Sequence, residues 1–151
     1  MNLPRGQVVA VCLSNGGIPR RPVVSAELTP QGLKGDGHRY DQHYAPQRAV
    51  TLFNQELLER FADGVTPFPP GSVGENITIM GIDLTTLMPG QCLTIGEAKI
   101  RLEKRWKPCH AKDAATGEVA PNTAELYGYF ASVVTSASLQ AGQVVEACDD
   151  Q

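Results

Sequence analysis

With 151 residues, 42% hydrophobic and 19% charged, the chain is long enough to bury a core without metal or disulfide staples and too apolar for a disordered tail. Its formal charge of −3, with Lys and Arg scattered, gives no electrostatic footprint for nucleic acid. No apolar run nears the ~20 residues that span a bilayer, and Met1-Asn2-Leu3-Pro4-Arg5-Gly6 lacks a signal-peptide core; the expectation is one cytoplasmic domain over residues 1–151, with no nucleic-acid or membrane partner.

Fifteen glycines and eleven prolines favour short strands and many turns. Gln7 to Leu13 is β-branched and apolar, closed by Ser14-Asn15-Gly16-Gly17, and reads as a strand. Pro22 to Thr29 alternates Val24, Ala26 and Leu28 against Val23, Ser25 and Glu27, a second strand ended by Pro30-Gln31-Gly32. Leu33 to Tyr44 is polar, glycine-punctuated and aperiodic, a loop of the length that usually carries function or disorder.

Arg48 to Phe53 predicts a short strand running into a helix, with Asn54 as N-cap and Phe53 and Leu58 spaced as a hydrophobic staple. Leu57, Leu58 and Phe61 would form its apolar face, Glu56 and Arg60 its wet side, and Asp63-Gly64 its end. Ile77 to Met80 predicts a strand turned by Gly81. Cys92 to Ile95 and Ala98 to Leu102 flank Gly96-Glu97, a two-residue hairpin signal. Asn122 and Glu125 resemble a capping box, opening a predicted second helix with apolar positions Leu126, Tyr129, Phe130 and Val133. Gln143 to Ala147 predicts the last strand. Gly90-Gln91 and Gly142-Gln143 each precede a short strand, an echo too brief for a repeat. Roughly seven short strands and two helices, without regular β–α alternation, predict a mainly β fold: a β-barrel of mostly antiparallel short strands with appended helices.

Chemistry concentrates in a few stretches. Pro108 should stop the strand that begins at Ala98, leaving Cys109 on irregular backbone beside Arg105, Lys107 and His110. Nearby positive charge favours the thiolate, the form that attacks electrophiles and binds soft metals, whereas a buried cysteine is inert filler. Gly35-Asp36-Gly37-His38 lacks the spacing of a phosphate loop and fits equally a tight turn in which Asp36 bonds its own backbone. Zinc on His38, His43, Cys109 and His110 would require two distant segments to converge. In Gly71-Ser72-Val73-Gly74-Glu75-Asn76 two glycines permit close backbone approach, and Glu75 and Asn76 set polar groups before an apolar strand. Arg48 leads into a half-buried strand and needs a carboxylate, Glu75 or Asp36, or an anionic ligand. There is no G-x-S-x-G elbow, no C-x-x-C pair and no nucleotide, flavin or iron–sulfur motif. Without a secretory signal, disulfides are not expected.

In order along the chain, Gly32-Leu33-Lys34-Gly35-Asp36-Gly37-His38, Arg48-Ala49-Val50, Pro70-Gly71-Ser72-Val73-Gly74-Glu75-Asn76-Ile77-Thr78, Gly81-Ile82-Asp83-Leu84, Pro89-Gly90-Gln91-Cys92-Leu93-Thr94-Ile95-Gly96, Lys107-Pro108-Cys109, Gly128-Tyr129-Phe130-Ala131 and Ala141-Gly142-Gln143-Val144-Val145 resemble the MOSC domain, named from the C-terminal part of molybdenum cofactor sulfurases. The resemblance covers about residues 5–147 and marks the chain as a stand-alone member. It implies a MOSC β-barrel and a molybdenum cofactor (molybdopterin) whose metal is ligated by Cys109. It also implies an oxidoreductase reducing N-hydroxylated compounds, a small-molecule substrate and a separate electron-donor protein. Asp36, His38, Arg48, Glu75, Asn76 and Lys107 are the candidates for holding the cofactor. The alternatives it leaves are a sulfur carrier, forming a persulfide on Cys109 with sulfur from a PLP-dependent cysteine desulfurase, and a degenerate binding module. Two departures stand out: Tyr44-Ala45-Pro46-Gln47 replaces a common glycine pair, and Arg105-Trp106 precedes the P-C where an arginine sits differently in the family.

Overall fold

Seven strands close on themselves in a computed structural model that describes residues 5–14, 20–36, 49–60, 70, 71, 73–106 and 127–148. The described strands are β1 (Arg5–Leu13), β2 (Arg21–Val23), β3 (Ser25–Thr29), β4 (Gly32–Leu33), β5 (Val50–Asn54), β6 (Ile77–Met80), β7 (Cys92–Ile95), β8 (Ala98–Trp106), β9 (Gly128–Thr135), β10 (Ala137–Gln140) and β11 (Val144–Cys148). The order β11-β7-β8-β9-β5-β6-β1 is closed by pairing of β11 with β1, and β2 extends the sheet from β1. Every barrel pairing is antiparallel except β5 with β6. A second sheet, β10-β3-β4, is also antiparallel. The expected mostly antiparallel barrel is present.

The core follows from strand alternation. Leu93 and Ile95 of β7, Ile100 and Leu102 of β8, Tyr129 and Ala131 of β9 and Val145 and Ala147 of β11 are buried in one cluster with Val8, Val11, Leu52, Ile77 and Ile79. Burying a large aliphatic side chain is worth about 1.5–3 kcal/mol, so this interior is the main source of stability. The two-residue Gly96-Glu97 turn joins β7 and β8 as expected, with Ile95 opposite Ala98. The predicted strand over Pro22 to Thr29 is two strands broken at Val24, whose side chain is 91% exposed while Ala26 and Leu28 are buried.

Two expectations need correction. The predicted second helix does not continue through Tyr129, Phe130 and Val133, because these residues lie in β9. Tyr129, Ala131 and Val133 also satisfy a period of two, with Tyr129 and Ala131 inward, and the aromatic and β-branched content favours a strand. Gly128 pins the entry: a Cβ there would lie 1.9 Å from the Leu52 carbonyl oxygen. The capping-box residues Asn122 and Glu125 lie outside the described residues. The other helix is present as α1 (Gln55–Arg60), the only α-helix among the described residues. However, Asn54 does not serve as its cap. Its Oδ1 accepts from Leu84 N at 2.9 Å and its Nδ2 donates to the Ile82 carbonyl at 2.6 Å, clamping the turn that follows β6. Phe53 and Leu58 do meet as the staple requires, in a small cluster with Leu57 and Val73. The Gly90-Gln91 and Gly142-Gln143 echo has one cause: each glutamine Oε1 accepts from the backbone N–H three residues earlier, Met88 and Gln140.

Candidate functional site

Three of the residues singled out in the sequence, Asp36, Glu75 and Asn76, are described, and they belong to one buried polar group. Asn76 stands just before β6, beside the start of β5. Thr51 N donates to its Oδ1 at 3.1 Å, and Asn76 N donates to the Thr51 carbonyl at 3.0 Å, so the asparagine extends the parallel ladder with its side chain. Its Nδ2 donates to Asp36 Oδ2 at 3.0 Å and to the Cys12 carbonyl at 3.3 Å. One amide thus ties β1, β5 and the segment after β4 together.

Asp36 carries a second set of bonds. Ser14 N donates to Oδ1 at 3.0 Å, and Arg20 Nε lies 3.0 Å from Oδ1 and 3.2 Å from Oδ2. The side chains of Arg20 and Asp36 are only 13% and 3% exposed. Arg20 also donates through Nη1 to the Gly74 carbonyl, and its backbone N–H donates to the Gly71 carbonyl. Sequence reasoning offered Asp36 as a carboxylate for Arg48; the cation the structure places beside it is Arg20, which was not singled out. Its signal was faint, an arginine beside Pro19 and Arg21 at the lip of a strand. Arg48, for which a carboxylate or an anionic ligand was expected, lies outside the described residues, as do His38, Lys107 and Cys109.

The glycines of Gly71-Ser72-Val73-Gly74-Glu75-Asn76 allow this closeness. Gly71 has φ +88°, and a Cβ on it would meet the Arg20 carbonyl oxygen at 2.1 Å. That backbone fold turns Gly71 N toward Glu75, donating to Oε2 at 2.9 Å, while Thr78 Oγ1 donates to the same oxygen at 2.6 Å. Glu75 is fully buried, and its Oε1 has no hydrogen-bond partner among the described residues. Burial raises its pKa above the usual glutamate value, against the lowering pull of the Thr78 and Gly71 bonds. Next to it, burial and then the Glu75 charge push the Cys12 thiol up to about 12. Cys12 is a neutral, inert thiol.

The Cys109 segment is framed at both ends. β8 and β9 remain paired as far as Trp106 opposite Gly128, so residues 107–126 depart from and return to adjacent strands. Trp106 packs on the Phe53, Leu57, Leu58 and Val73 cluster, with its ring 6.0 Å from Phe53 and 6.1 Å from Phe130. Val73 belongs to the loop that carries Glu75. Arg105 lies over the Tyr127 ring at 5.2 Å, across the stem of the same segment.

The sequence pattern of the MOSC domain matches residues 39–146. This chain belongs to the MOSC domain family. The matched region contains Arg48, Glu75, Asn76, Lys107 and Cys109 and begins just after Asp36 and His38. Solved structures with the same fold include YiiM from Geobacillus stearothermophilus, 17% identical with a TM-score of 0.76, covering 97% of this chain and 76% of that one. The YuaD protein from Bacillus subtilis is 16% identical with a TM-score of 0.74, covering 97% of both chains. YiiM from Escherichia coli is 21% identical with a TM-score of 0.66, covering all of this chain and 71% of that one. A search of curated proteins returned no match. At these identities the likeness speaks for the fold.

Among the described residues, no three His, Cys, Asp or Glu side chains gather to hold a metal ion, and no helix is long and apolar enough to cross a membrane.

Proposed function

We propose that this MOSC domain binds a molybdenum cofactor, with Cys109 as the metal's protein ligand, and reduces N-hydroxylated compounds. The observation that supports the reading is that the strand leading toward Cys109 ends on the small cluster that includes Val73 of the Glu75 loop. Trp106, three residues before Cys109 in sequence, packs on the cluster of Phe53, Leu57, Leu58 and Val73, and Val73 belongs to the loop that holds Glu75.

The residues fit the group in two respects. Among the described residues Glu75 Oε1 is a buried acceptor with no hydrogen-bond partner, and leaving such an atom unpaired costs about 1–3 kcal/mol. A pterin ring presents N–H donors that would satisfy it. A cysteine thiolate, in turn, is a soft ligand suited to a metal held by sulfur. Asp36 and Asn76 act in this reading as positioning residues, since their bonds to Arg20, Ser14, Thr51 and Cys12 hold the Glu75 loop in place. His38, Arg48 and Lys107 are proposed to bind the anionic part of the cofactor.

When bound, the cofactor supplies a centre that exchanges one oxygen atom and two electrons. Reduction of an N–OH group consumes two protons and two electrons and releases the N–H product and water. The chain carries no flavin, nicotinamide or cluster motif, so the electrons come from a separate donor protein. The chain's own part is to ligate, orient and shield.

The test is reduction of an N-hydroxylated amidine by protein made in a cofactor-competent host, with a chemically reduced viologen as donor. The reading expects turnover that Cys109→Ala abolishes. Metal-loaded protein with no turnover refutes the reductase assignment. Sulfur added to Cys109 by a cysteine desulfurase, seen as a mass increase absent in Cys109→Ala, would support the carrier role instead.

A further inference from the structure

Cys92 and Cys148 are 56 positions apart in sequence, yet the fold puts them side by side. Cys92 opens β7 and Cys148 closes β11, and the antiparallel register sets them directly opposite one another. Opposed residues of an antiparallel pair point to the same side of the sheet, with Cα atoms about 4.5 or 5.5 Å apart according to the hydrogen-bond pattern. Both spacings lie inside the roughly 4.4–6.8 Å window of a disulfide. Leu93, Ile95, Val145 and Ala147 fill the core, so the alternating set Cys92, Thr94, Glu146 and Cys148 occupies the other face. Arg101, opposite Cys92 on β8, continues that row. Both cysteines are thiols; Cys92 is buried and Cys148 is partly exposed.

We propose that Cys92 and Cys148 form a reversible cross-strand dithiol–disulfide site, oxidised by a small disulfide such as glutathione disulfide. The more accessible Cys148, as its thiolate, attacks one sulfur of the oxidant and breaks its S–S bond. This forms a mixed disulfide and releases one glutathione. Cys92, losing its proton, then attacks the Cys148 sulfur and displaces the second glutathione. Two electrons pass from the protein to the oxidant, and the two protons lost by the cysteines end on the two glutathione thiols. Arg101 gives the anionic oxidant a cation to approach.

The placement gives the bond a consequence. β11 seals the barrel by pairing with both β7 and β1, and a Cys92–Cys148 bond would fasten that seam covalently. It would also enclose residues 92–148, the segment with Cys109 among them.

Trypsin releases Cys92 in peptide 61–99 and Cys148 in peptide 113–151, each the sole cysteine of its peptide, and Cys109 in a third. The full chain is equilibrated with excess glutathione disulfide, then alkylated in denaturant without reduction and digested, in wild type, Cys148→Ser and Cys109→Ser. The expected result is a cross-linked 61–99/113–151 peptide about 2 Da lighter than the sum of its parts, with loss of alkylation at both sites. The cross-link should be absent in Cys148→Ser, retained in Cys109→Ser and reversed by dithiothreitol. Full alkylation of Cys92 and Cys148 after oxidation would overturn the proposal, as would a glutathione adduct on Cys148 that never passes to Cys92, or a cross-link to Cys109 in place of Cys92. Because wild type carries the decisive readout, a misfolded variant cannot mimic success.

Discussion

Replacing Arg20 with alanine would leave Asp36 as a buried carboxylate without its cation. Breaking a buried ion pair by removing one partner typically costs about 3–5 kcal/mol. Two features lower that figure here. The Arg20 side chain is 13% exposed, so water reaches part of it, and Asp36 keeps the Ser14 and Asn76 donors. Loss of the Arg20 bond to the Gly74 carbonyl pulls the other way. The net expectation for Arg20→Ala is a loss of about 2–4 kcal/mol, a large share of the 5–15 kcal/mol that a domain has. Urea unfolding followed by circular dichroism measures it. The double variant Arg20→Ala/Asp36→Ala should lose less than the sum of the single losses, because it leaves no orphaned charge, and the cycle should return a coupling of about 1–3 kcal/mol. A single-variant loss below about 1 kcal/mol, or a coupling near zero, would show that the pair does not hold the Glu75 loop.

Glu75→Gln tests the buried carboxyl. With its folded pKa raised by burial, the native state holds a proton that the unfolded chain gives up, so wild-type stability should fall as pH rises from the ordinary 4.5 toward the raised value. The Gln variant should show a flatter profile over that window, and identical slopes would refute the raised pKa of the buried Glu75. Gly71→Ala forces a Cβ to within 2.1 Å of the Arg20 carbonyl oxygen at a positive φ, and a loss of about 2–4 kcal/mol in chemical denaturation is expected. An unchanged midpoint would contradict that contact. Cys12, buried and with its thiol pushed up to about 12, should resist iodoacetamide at neutral pH until the protein unfolds, which quantitative mass spectrometry can follow. Labelling of native Cys12 at the rate of a small free thiol would contradict its burial.

Alternation and turn chemistry made much of the barrel legible. Gln7 to Leu13, Ile77 to Met80 and the hairpin around Gly96-Glu97 announce themselves through β-branched residues bounded by glycine. What misled was the stretch after Asn122, where Tyr129, Phe130 and Val133 fit a helical period while Tyr129, Ala131 and Val133 fit a strand period, and only pairing with β5 and β8 decides between them. Asn54 looks like a cap because caps are local, but its partners Ile82 and Leu84 lie across the fold. At the site, ordered motifs pointed to Glu75 and Asn76, whereas Arg20 acquires its role only when Asp36 and Gly74 arrive from distant parts of the chain. The Cys92–Cys148 pairing was invisible for the same reason: strand register is not written in sequence separation.

The central claim is that Cys109 ligates molybdenum, and metal content measures it most directly. Wild type and Cys109→Ala are expressed in a host that makes the cofactor, purified without chelator and measured by inductively coupled plasma mass spectrometry beside a known molybdoenzyme. The account predicts molybdenum approaching one atom per wild-type chain and its loss from the folded Cys109→Ala variant. A wild-type protein empty of molybdenum while the control enzyme is loaded, or a variant that retains the metal in full, would contradict it.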